Sequence, residues 1–100
     1  MNDPILYATK FAELIDLARE AESAFEKAVV FAATQSLANA FFSEEERFNG
    51  YMLEKVEMAR WHICASIGYD VTNGHDQEHH LSGAYGAVDT LRNVLSERLQ

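Results

Sequence analysis

The densest run of chemically capable side chains is His75-Asp76-Gln77-Glu78-His79-His80. On a helix, His75 and His79 stand one turn apart on the same side, close enough to share an ion such as zinc. Asp76 and Glu78 project in other directions, and His80 turns toward the apolar stripe of its own helix. A complete site therefore needs a ligand from elsewhere, with His62 and Glu57 the available donors. The glutamate does not follow the first histidine directly, so the spacing of the helical zinc hydrolases is not met. The plainer reading is that His75 and His79 are solvated residues at a helix start and that His80 packs at the core edge. That reading is favoured, and no metal or cofactor is expected.

The carboxylates offer a second candidate chemistry. Glu54 and Glu57, with Glu44, Glu45 and Glu46 before them, have the spacing of helical pairs that hold magnesium when a second helix supplies more oxygens. The last helix has only Asp89 and Glu97, too far apart to complete such a set. Glu-x-x-His, the di-iron spacing, is absent. Cys64 is the single cysteine. His62 lies two residues away and points elsewhere on a helix, so a buried structural thiol is expected. No glycine-rich phosphate loop and no basic aromatic patch is present. No catalytic residue is assigned, and the chain is not expected to be an enzyme.

Tyr51, Met58, Trp61 and Tyr69 form a third group, away from the main apolar stripe of their helix. Aromatic residues and methionine in such positions are enriched where proteins meet. The competing expectation is that they pack on the first helix within the same subunit.

These groups sit on a chain of 100 residues, enough for one domain spanning 1–100. It has 16 acidic and 8 basic residues, a formal charge of −8. The acids are spread over both halves, so the charge belongs to a folded surface and not to a tail. Such a surface repels nucleic acid and anionic membrane and attracts basic protein surfaces. The lone cysteine fits a reducing compartment, and no segment reads as a signal peptide or membrane span, so a cytoplasmic location is expected.

The elements that carry these residues read as helices throughout. Asp3-Pro4 is a strong start, since the carboxylate caps free amides and proline has none to leave unpaired. From there to Phe42 no glycine and no further proline intervenes. The seam Tyr7, Phe11, Leu14, Ala18, Ala21, Phe25, Ala28, Ala32 predicts one long helix, continuous or merely kinked near Glu22. Ser23 and Glu26 nevertheless fit a capping box that permits a break there. Beyond Val29 apolar residues cover most of the circumference, which predicts burial nearly all round. A second capping box at Ser43 and Glu46 predicts a helix from Glu44 to about Ile67. Its main face is Phe48, Met52, Val56, Ala59, Ile63 and Ile67. Asn73-Gly74 marks a turn. A last helix from about His75 has the stripe Leu81, Ala84, Val88, Leu91, Leu95 and Leu99. Gly83 and Gly86 inside it each cost about 1 kcal/mol against alanine, which implies a packing reason.

The fold expected is thus all-α, a small bundle of three principal helices. It is expected to form a homodimer that buries part of Val29–Phe42 or the Trp61 face. The function expected is that of a non-enzymatic acidic interaction protein. Glu13, Asp16, Glu20, Glu44, Glu45 and Glu46 would steer a basic protein partner, and Tyr51, Met58, Trp61 and Tyr69 would dock it. Small phage inhibitors of nucleic-acid-processing complexes and toxin-immunity proteins share that physical description. The alternatives are a metal-binding protein or metal-dependent hydrolase centred on His75 and His79, and a structural or assembly bundle.

Overall fold

Asp3 opens the first helix as expected. A computed structural model describes residues 1–98. In it the Asp3 carboxylate accepts from the amides of Ile5 (3.1 Å) and Leu6 (3.2 Å). Helix α1 then runs over Pro4–Glu20. It does not continue to Phe42. Ala21 and Ser23 are extended (ψ 122° and 158°), and α2 begins afresh over Ala24–Phe42. The Ser23 hydroxyl accepts from the Glu26 amide (3.0 Å), and the Glu26 carboxylate accepts from the Ser23 amide (3.0 Å). This reciprocal cap supplies orphan amides that a continuous helix would satisfy internally, so breaking costs little. The break also lets α2 fold back along α1, bringing Phe41 against Tyr7 and Phe11 (ring centres 6.4 and 6.1 Å apart).

The second expected helix start is corrected as well. Ser43 keeps helical backbone and ends α2, its hydroxyl donating to the Ala40 carbonyl (3.1 Å). Glu45–Arg47 form one 3₁₀ turn, and the helix α3 covers Gly50–Ser66. Its cap is Asn49, whose side chain accepts from the Met52 amide (2.8 Å). At the other end Gly68 takes φ 87°. There the amides of Gly68 and Tyr69 donate back to Ala65 and Cys64 (3.2 and 2.9 Å). That pair of bonds closes the helix in a left-handed cap only glycine adopts freely. Helix α4, Gln77–Arg98, starts two residues later than expected, with Asp76 accepting from the His79 amide (2.9 Å).

The described residues thus form four α-helices instead of three, without a strand. None of the helices is long and apolar enough to cross a membrane. The most extensive packing is α3 on α4, with α1 laid on α4 and α2 on α3. Every residue of the expected α3 face is buried, and so are Leu81, Ala84, Val88, Leu91 and Leu95 of α4; Leu99 lies outside the described residues. In α1 the seam holds through Ala21. In α2 it does not, because the break resets the helical phase. Val30, Thr34, Ala38 and Phe41 turn inward, while Phe25 is 78% exposed and Ala32 faces out. The expected burial of α2 nearly all round is therefore not met within this chain.

Candidate functional site

All four histidines of the chain meet at one end of the α3/α4 pair. His80 points inward from the first turn of α4 and is fully buried; His62 projects from α3 and is nearly so. The loop between the two helices folds over them. Trp61 donates from Nε1 to the Val71 carbonyl (3.0 Å), and Gln77 donates to the Ser66 carbonyl (3.1 Å). Arg60 bridges Glu57 (2.6 Å) and Asp70 (3.3 Å). These side chains bring the Thr72 carbonyl to 2.9 Å from His80 Nε2.

A carbonyl only accepts, so His80 Nε2 carries a proton and donates it. When both rings are uncharged, His80 presents the lone pair of Nδ1 to His62 Nδ1, 2.9 Å away, and His62 donates. That relay fixes both tautomers and leaves His62 Nε2 with a free lone pair. Burial, reinforced by the neighbouring His80 and His79, holds the His62 pKa below its ordinary value. The ring also explains one glycine. A Cβ on Gly83 would lie 2.6 Å from His62 Nε2, so α4 is bare where the imidazole crosses it. Gly86 meets nothing within 4 Å, so the close approach expected there is absent.

His75 precedes α4 yet still stacks on His79, ring centres 3.8 Å apart, and both are exposed. His79 lies 6.2 Å from His62 by ring centres. Neither the glutamates nor Cys64 joins this cluster as a reactive group. Burial pushes the Cys64 thiol up, away from thiolate chemistry. Glu57 is paired with Arg60. Glu44 binds the Met1 ammonium (2.7 Å) and Arg47 (2.9 Å), so of the steering carboxylates it is already taken. Glu45 and Glu46 are exposed on the 3₁₀ turn.

The aromatic group separates. Trp61 is half-buried under the loop with its ring edge-on to His80 (5.3 Å). Tyr69 stacks on Phe31 of α2 (4.5 Å) while 44% exposed. Met58 is half-buried, and Tyr51 is half exposed beneath Lys55 (4.9 Å).

Glu13 and Glu20 border a feature that sequence reasoning missed. Between α1 and α2 runs a groove in two stretches joined at Leu17, of about 450 and 230 Å³. Tyr7, Leu14, Leu17, Leu37, Phe25 and Val29 supply its apolar walls. Leu17, Phe25 and Val29 are 51%, 78% and 50% exposed. Glu13, Glu20 and Glu26 stand on its rim, and Asp16 is exposed beside Arg19. The chain matches no protein-family model, and no curated protein or solved structure is significantly similar to it.

Proposed function

We propose that this chain is a non-catalytic interaction module whose α1/α2 groove receives an amphipathic, basic helix of a partner protein and so inhibits or modulates that partner. The observation that carries the reading is the groove itself, an apolar trough with carboxylates on its rim. Fully burying one large apolar side chain contributes about 1.5–3 kcal/mol. Leu17, Phe25 and Val29 thus hold on the order of 3–5 kcal/mol of unrealised burial. A helix laid in a groove is the usual occupant of such a surface, with anchors at three- and four-residue spacing. The rim selects its charge. Glu13 is offset by Lys10, but Glu20 and Glu26 have no ion-pair partner among the described residues. A second copy of this chain, itself at −8, fits that rim less well than a basic helix does.

The test places a photoreactive amino acid at position 17 or 25 and crosslinks in lysate of the native host. The reading expects crosslinks from both positions to one basic, helical segment of one protein, lost at raised salt and in the variant Glu20→Lys/Glu26→Lys. Crosslinks to the chain itself, with a dimer by light scattering, would assign the groove to self-association. Crosslinks to many unrelated proteins, unaffected by charge reversal, would remove the proposal.

A further inference from the structure

We propose that the histidine end of the bundle binds a divalent late first-row transition ion of the Zn²⁺ or Ni²⁺ type through His62, His79 and His75, with His80 as the residue that orients His62.

The relay Thr72 carbonyl–His80–His62 is the support a ligating histidine receives in metal centres. One ring nitrogen is tied by a hydrogen bond, and the other is left without one. His62 Nε2 has no hydrogen-bond partner among the described residues, yet it is not sealed off, since no fully buried side-chain nitrogen lacks a partner. Gly83 adds room, because any side chain there would displace the imidazole.

The other two ligands stand beside it. Zinc binds imidazole nitrogen at about 2.0–2.1 Å, so two rings on one ion have centres roughly 5–6 Å apart. The separation of His62 and His79, 6.2 Å, is close to that span. His75 lies ring on ring with His79 at 3.8 Å, too close for shared ligation, and must swing aside. As they stand, no three His, Cys, Asp or Glu side chains among the described residues converge on one point. Both His75 and His79 are exposed, and rotamer changes of exposed side chains are fast and cheap. Nearby carboxylates are engaged elsewhere, Glu78 with Arg19 (2.7 Å) and Asp76 as the cap of His79. The donor set is therefore three imidazoles, which suits zinc, nickel or copper over magnesium or calcium and leaves a fourth position to water.

The experiment titrates the purified chain with ZnCl₂ and NiCl₂, and MgCl₂ as control, by calorimetry at neutral pH. The imidazole ¹⁵N resonances are followed in parallel. The expected result is one Zn²⁺ per chain, a raised Tm, and a large shift of the His62 Nε2 resonance. Outer-sphere losses alone cost 10–100-fold in affinity, so His79→Ala and His75→Ala should each weaken binding at least about tenfold. Neither variant should change the metal-free Tm, because both side chains are exposed. Absence of saturable Zn²⁺ binding would overturn the proposal. So would binding that leaves His62 Nε2 unmoved, which would reduce the site to the exposed pair His75/His79.

Discussion

Between α3 and α4 every fully buried side-chain nitrogen and oxygen among the described residues is matched, whereas between α1 and α2 large apolar side chains stay in water. The first pair buries two histidines and ties them together through one relay, while a glycine makes space for the ring. The second pair shares a narrow seam of Phe11, Leu14, Ala18 and Val30, Ala38, Phe41 and leaves Leu17, Phe25 and Val29 outside. Buried polar networks tolerate little disturbance, because a half-satisfied one is costlier than none. Exposed apolar walls tolerate much. The contrast teaches where this chain has committed its stability and where it has kept surface for something else.

The largest test of that contrast compares two leucines. Leu91 is fully buried in α4, so Leu91→Ala should cost about 2–5 kcal/mol in urea unfolding. Leu17→Ala should cost less than about 1 kcal/mol, as for a surface position. Equal losses would mean that the groove is core. Next come the two helical glycines. Gly83→Ala should destabilise by about 1–3 kcal/mol, since a methyl there overpacks against the His62 ring, which its hydrogen bond to His80 holds in place. Gly86→Ala should stabilise by up to about 1 kcal/mol, since nothing opposes the methyl and alanine favours the helix. A smaller effect is expected at the junction. Ser23→Ala should remove about 1 kcal/mol of cap, without raising helicity by circular dichroism. A rise would indicate that α1 and α2 fuse once the box is gone.

Acidity sharpens the comparison from the other side. The folded chain holds His62 below its unfolded value of about 6.5. Between the two values the unfolded chain binds more protons, so stability increases with pH there. It should be complete above about pH 6.5 and fall as pH drops from there to the lowered value of His62, below which the loss levels off. Thermal melts over that range should show the loss, and His62→Gln should reduce its pH dependence. The groove contributes no histidine to this behaviour.

Much of this molecule was legible in its residues, for physical reasons that also mark where the reading stopped. Asp3-Pro4 and the faces of α3 and α4 were legible because cap chemistry and 3.6-residue periodicity are local. Ser23 and Glu26 were visible as a capping box, but whether the box forms depends on α2 gaining contacts with α1 and α3, which no local window contains. The same missing information inverted Phe25, since a seam carried across a break loses its phase. Ser43-Glu46 had the pattern of a box and lost to the simple continuation of α2 through Ser43. The approach of His62 to His80 is eighteen residues apart in sequence; only Gly83, bare in mid-helix, signalled that something crosses α4 there.

The most direct measurement pairs stability with binding in the variant Leu17→Glu/Phe25→Glu. The partner crosslinked through the groove serves as the ligand, and its affinity for variant and native chain is measured beside their melting curves. The account predicts a Tm near that of the native chain together with binding weakened by at least about 100-fold, since losing two buried anchors costs roughly 3–6 kcal/mol. A collapsed Tm, or a partner held as tightly as before, would contradict it.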